Sequence, residues 1–300
     1  MNIIQGMENG NRYNFIFKAS LYLLFLIALF SCSDDKDNDQ KATTPVDIIV
    51  LVDNSADMSE EIQGLQDNLN ANLAELLSDK NLDYRIILIG RYGLLNDESV
   101  CIEAPLSGIS DCSNPPTVPI NSDRFFHYSI EVNSNNSLCT ILETLQAADE
   151  FNLASNGWIN WLRTSARKVF IEITTDGVNC FSGELFDDAN NELKGSQVAN
   201  AFHTALVNLS PTQFGSQSNP NYRFFSLIGM PNKNANNPAL PFTTFDPISL
   251  SKCATATNAG TGYQGLSILT DGFRFSVCQV NEYDLIFEAM ANEIIDLSSQ

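Results

Sequence analysis

The chain has 300 residues, of which 36 are acidic and 16 basic, for a net charge of −20. Such a surface repels polyanions, which excludes nucleic acid and anionic membrane surfaces as partners. With 44 % hydrophobic residues and seven cysteines, the chain has the means for a sizeable core and for disulfides in an oxidising compartment.

Arg12 and Lys18 precede a short apolar run from Ala19 to Phe30, too short for a permanent transmembrane helix. The run closes on Leu29-Phe30-Ser31-Cys32, and acidic residues follow at once. This order resembles a bacterial lipoprotein signal. It implies a leader over residues 1–31 and lipidation of Cys32; an ordinary secretory leader cut nearby is the alternative. Residues 32–44 lack apolar surface to bury and read as an acidic, solvated tether. Asp35, Asp37 and Asp39 alternate as in a calcium loop, but the required Gly and Glu are absent, so that reading is rejected. Acidic residues straight after the lipid-bearing Cys also resemble signals for surface export. The expected location is therefore the cell envelope, lipid-anchored, in the outer membrane and exposed at the surface. The only membrane contact expected is through the lipid.

Residues 45–300 read as one domain of alternating strands and helices. The apolar run Val46–Val52 is a buried strand. Met58, Ile62, Leu65, Leu69, Leu73, Leu76 and Leu77 recur at helical steps. A second apolar strand covers 84–90, and residues 92–122 are a loop rich in Gly, Pro and Asn. A strand is expected over 125–132 and a helix over 138–151. Residues 168–174 form a strand that runs into Thr175-Asp176-Gly177. Residues 187–196 read as polar loop, 198–209 as helix, 222–230 as strand and 231–247 as loop. A helix at 263–269, a strand at 273–277 and a last amphipathic helix through Leu285, Ile286, Ala289, Ile294 and Ile295 complete the chain. This alternation implies a doubly wound, mostly parallel α/β sheet with helices on both faces. With Cys32 assigned to lipid, six cysteines remain. The preferred pairing is Cys101–Cys112, Cys253–Cys278 and Cys139–Cys180, the first two because they close short loops, although sequence alone leaves other pairings open.

In a parallel sheet, binding sites lie beyond the carboxyl ends of the strands. Asp53, Ser55 and Asp57 follow the first strand, Ser134 follows the third candidate, and Asp176 follows the strand at 168–174. Carboxylates and hydroxyls brought together in this way make an oxygen-rich site suited to a hard cation such as Mg²⁺. Here the chain resembles the von Willebrand factor type A domain. The resemblance rests on Asp53-Asn54-Ser55-Ala56-Asp57 and Thr175-Asp176-Gly177 and spans residues 45–298 in element order. It implies that Ser55 binds the metal directly, and that Asp53 and Asp176 bind it directly or through water. It also implies that an acidic group on a protein or surface-polymer partner completes the shell. Mg²⁺ is the expected ion, with Mn²⁺ or Ca²⁺ as alternatives.

Two positions depart from the family pattern. Asp57 replaces its second Ser, and is either a ligand or the N-cap of the following helix with Glu60. Ser134 stands for its Thr, with Ser137 and Asn136 as neighbours of similar promise. The second Thr-Asp-Gly, Thr270-Asp271-Gly272, precedes a strand and reads as a turn at the opposite edge. Gly260-Thr261-Gly262-Tyr263-Gln264-Gly265 has no apolar strand leading into it, so it reads as a helix start and not a dinucleotide site. His127, His203, Trp158 and Trp161 read as structural. The expected function is metal-assisted binding or adhesion without catalysis. The alternatives are a scaffold with a degenerate metal site and a metal-dependent envelope hydrolase.

Overall fold

The computed structural model describes residues 43–300. The expected leader, the expected lipidation site Cys32 and the expected tether up to residue 42 lie outside the described residues, and Thr44 donates its N–H to the Ser298 carbonyl. In chain order the elements are β1 (Val46–Val52), α1 (Ser59–Asn68), a π-helical segment (Leu69–Ala74), α2 (Glu75–Asp79), β2 (Tyr84–Ile89), β3 (Phe125–Tyr128) and α3 (Ser137–Thr144). They continue with β4 (Arg167–Ile173), β5 (Asn179–Ser182), β6 (Glu184–Asp187), α4 (Glu192–Leu209), α5 (Pro211–Phe214), β7 (Gly215–Ser216) and β8 (Asn219–Pro220). The last are β9 (Tyr222–Ile228), α6 (Thr261–Leu269), β10 (Arg274–Ser276) and α7 (Tyr283–Ser298).

Six strands form one sheet in the order β3-β2-β1-β4-β9-β10, and every pairing is parallel. The expectation of a mostly parallel sheet is met in its strictest form. Both faces are covered, which is why β1 is buried at all seven positions and reads as an unbroken apolar run. Ile48, Val50 and Val52 pack under α1, α2 and α7, while Ile49 and Leu51 pack under α3, α4 and α6. Strand order reverses between β1 and β4, so the crevice beyond their carboxyl ends is the natural place for a ligand.

The stripe after β1 explains the π-helical segment. Leu65, Leu69, Leu73 and Leu77 recur in steps of four, and all are buried. Steps of four overrun a 3.6-residue turn, and the wider π turn takes up the excess, so the ladder stays on the core. The GxGxxG stretch is the start of α6, and its glycines serve packing. A Cβ on Gly195 of α4 would lie 2.5 Å from the Thr261 carbonyl oxygen, and one on Gly265 would lie 2.9 Å from the Gly195 carbonyl oxygen. The two helices cross backbone to backbone.

Several boundaries differ from expectation. The strand expected over 125–132 stops at Tyr128. The helix expected to reach 151 stops at Thr144, and Asp149 bends the chain beyond it by accepting from Ala154 N–H (2.6 Å) and Phe151 N–H (3.3 Å). The stretch 187–196 is not all loop, because Asn191 caps α4 by accepting from Lys194 N–H and the helix begins at Glu192. The β5–β6 hairpin was not expected, although Ser182-Gly183 is its turn and Gly183 has φ +75°. All three disulfides form as preferred: Cys101–Cys112, Cys139–Cys180 and Cys253–Cys278. Thr270-Asp271-Gly272 is a turn at the amino end of β10, with Asp271 at φ +58°. His127 and His203 are buried, as is Trp158, while Trp161 stacks on Phe126.

Candidate metal centre

The first loop is shaped by Asp53 and Asn54, where β1 ends. Asp53 is fully buried, its Oδ1 accepting from Ser55 N–H (2.8 Å) and its Oδ2 from the Thr174 hydroxyl (2.8 Å). Asn54 faces the other way and knits three loops together. Its Oδ1 accepts from Arg91 N–H (2.8 Å) and Val132 N–H (3.2 Å), and its Nδ2 donates to the Glu98 carbonyl (2.7 Å). The Asp53 carboxyl is thereby fixed at the switch point of the sheet.

Asp57 is not the cap of α1. The helix starts at Ser59 after Met58, with no side-chain cap. Asp57 turns toward the rim instead, its Oδ1 accepting from the Ser55 hydroxyl (2.9 Å) and its Oδ2 from the Thr175 hydroxyl (3.2 Å). Asp176 follows β4; its N–H donates to Thr174 Oγ1 (3.1 Å) and its Oδ1 accepts from Gly177 N–H (2.7 Å). Ser134 arrives from the loop after β3: its side chain lies close enough to Asp176 to favour that carboxylate's charged form, and its carbonyl lies 3.1 Å from Thr174 Oγ1. Asp53, Ser55, Asp57, Ser134 and Asp176 thus share one rim. Asn136 is occupied in its own turn, accepting from Asn133 N–H (2.9 Å), and the Ser137 side chain is buried below.

Sequence reasoning missed Thr174 and Thr175, which join the first and third loops. The signal was the pair of threonines directly before Asp176. It also missed Glu61, buried in the first turn of α1, and Asp188, whose Oδ2 accepts from Val178 N–H (3.1 Å) and Gly262 N–H (2.9 Å). Those bonds hold the start of α6 beside the third loop.

The rim is electrostatically unbalanced. Burial pushes the Asp53 carboxyl above its usual range; hydrogen bonds from Ser55 and Thr174 offset this in part, and the Asp57 charge adds to it. Asp176 is raised by burial first, and by Asp188 and Asp57. Glu61 is pushed up to about 7, by burial and then by Glu60, Asp57 and Asp53. The charged groups that act most on these three carboxyls are themselves acidic. Among the described residues, no group of three or more Asp, Glu, His or Cys side chains could hold a metal ion unaided. A cation here needs the hydroxyls of Ser55 and Ser134 as well, and an all-oxygen donor set of that kind fits Mg²⁺, Mn²⁺ or Ca²⁺.

The β5–β6 hairpin stands beside this rim. Cys180 is bonded to Cys139 of α3, and Asn179 N–H donates to the Asn135 carbonyl (3.0 Å), so the second and third loops are tied together. Phe186 points inward and is buried, while the cross-strand pair Phe181 and Leu185 is exposed. In comparisons with known proteins, the chain matches no family model, no curated protein and no solved structure.

Proposed function

We propose that this chain is an exported binding module of von Willebrand factor type A form, anchored by lipid on Cys32, whose rim takes one divalent cation. Mg²⁺ is the preferred ion, with Mn²⁺ and Ca²⁺ as substitutes. Ser55, Asp53 and Asp176 would hold it, with Ser134 and Asp57 bordering them. The bound ion supplies a positive centre that attracts a carboxylate from a protein or surface-polymer partner. One observation carries the reading. Oxygen side chains from the loops after β1 and β4 meet at the switch point of the sheet around the buried Asp53 carboxyl, with the Ser134 carbonyl beside them.

A second reading is a scaffold whose metal site has decayed. It is favoured by Asp57, which already takes up the hydroxyls of both Ser55 and Thr175. Calorimetric titration of residues 41–300 with Mg²⁺, Mn²⁺ and Ca²⁺ separates the two. The cation reading expects one site per chain, lost in Asp53→Ala, and a thermal upshift. A ligand at a hundred times its Kd stabilises the fold by about 2.7 kcal/mol. The scaffold reading expects no heat and no upshift with any of the three ions.

A further inference from the structure

Beneath the rim lies a group that the cation reading does not use. Glu172 of β4 is fully buried, and neither carboxyl oxygen completes a hydrogen bond. It sits one step inward from Thr174 on the same strand face, between Leu51 of β1 and Ser226 of β9. The Ser226 hydroxyl is already engaged by Ser267 (2.6 Å). Facing Glu172 are the hydroxyls of Ser137, in the first turn of α3, and Tyr263 of α6. Both are buried and, like Glu172, unpartnered. Both α3 and α6 pack on this face of the sheet, α3 through Leu138 and Ile141 and α6 through Tyr263 and Leu266.

Among the described residues, the charged group that acts on Glu172 is acidic. Asp53 faces it from β1 and Tyr263 from α6, while Asp188 acts on Tyr263 from the loop before α4. Helix α4 packs on this sheet face through apolar residues that include Val198, Ala199 and Phe202. An ionised carboxylate buried among such neighbours would be strongly disfavoured, so the group keeps its proton. A protonated carboxyl has one O–H to donate and acceptor capacity besides, which matches the two unpartnered hydroxyls opposite.

We propose that Glu172 is a proton-bearing positioning residue that pins the start of α3, and with it the Ser134 loop, against the end of β4. Through Ser137 it sets where Ser134 meets Asp176. The inference goes beyond the cation reading and is tested apart from it.

The test compares the full chain with Glu172→Gln and Glu172→Ala, by urea unfolding from pH 5 to pH 8 in EDTA. Folded Glu172 holds its proton where the unfolded chain, near its ordinary value of 4.5, has lost it. The wild type therefore loses stability relative to the Gln variant as pH rises, and the ratio of their unfolding constants grows about tenfold per pH unit. Amide exchange over residues 133–139 should match the wild type in Glu172→Gln and quicken in Glu172→Ala. Parallel pH curves for the wild type and the Gln variant overturn the proposal, as does equal quickening of that segment in both variants. Should Glu172→Ala fail to fold, the Gln comparison still decides. Titration with Mg²⁺ alone is read separately: no binding by the wild type sinks the cation reading and leaves the pH comparison intact.

Discussion

Asp53 is held by one hydrogen bond to each oxygen, and its surroundings still disfavour its charge. For the proposed cation site that combination sets binding against stability: a buried carboxylate is a burden when no cation is bound. Asp53→Asn keeps the shape and removes the charge. In EDTA it should raise stability by about 1 kcal/mol, measured by urea unfolding, and it should abolish the stabilisation by Mg²⁺ that the proposed site predicts for the wild type. A loss of stability in EDTA would mean that the hydrogen bonds outweigh the buried charge. Glu61 gives a pH signature. Its folded value, about 7, lies above the ordinary 4.5, so its stabilisation is full below pH 4.5 and is lost as pH rises through 7. Relative to Glu61→Gln in EDTA, the wild type should lose on the order of 3 kcal/mol across that window. Equal slopes for the two proteins would place Glu61 in a more hydrated setting.

At the scale of elements, α4 and α6 meet where only glycine fits. Helix propensity alone would favour Gly195→Ala by about 1 kcal/mol. The backbone contact at 2.5 Å outweighs that, and overpacking of this kind costs about 1–3 kcal/mol, so the variant should be less stable by urea unfolding. The Cys139–Cys180 bridge spans 41 residues, and chain entropy assigns such a loop about 4 kcal/mol. The double variant Cys139→Ser, Cys180→Ser should lose up to that much and bind Mg²⁺ more weakly, because the bridge joins the Ser134 and Asp176 loops. Unchanged affinity in a folded double variant would free the site from the bridge.

Legibility divides along the same elements. The long apolar strands and the Leu65–Leu77 ladder were readable because burial imposes a period on them. The end of α3 was not, because Asp149 acts through its own side chain against a sequence that still looks helical. The β5–β6 hairpin hid for a different reason. Its inward residues, Cys180 and Phe186, alternate with the exposed Phe181 and Leu185, so no single apolar face marks it.

Over the whole molecule, the order β3-β2-β1-β4-β9-β10 brings the loops after β1 and β4 side by side, though Asp53 and Asp176 stand far apart in sequence. That adjacency was open to sequence reasoning because alternating strands and helices leave few topologies. The joining of the rim by Thr174 and Thr175 was not, because it depends on which way hydroxyls turn at a strand end. Net charge also acts at this scale. At −20 the chain attracts cations generally, so tight binding must be separated from atmosphere by its persistence in salt. The proposed anchor belongs here too: Cys32→Ser should move the protein from the membrane fraction to the soluble fraction on cell fractionation, and an unchanged distribution would count against lipid on that residue.

The most direct measurement is anomalous diffraction from crystals grown with Mn²⁺. The proposed centre requires a single strong peak about 2.0–2.3 Å from the Ser55 hydroxyl, within reach of Asp53 and Asp176, and absent in Asp53→Ala. A rim with no peak at saturating Mn²⁺, with Ser55 still donating to Asp57, would contradict it.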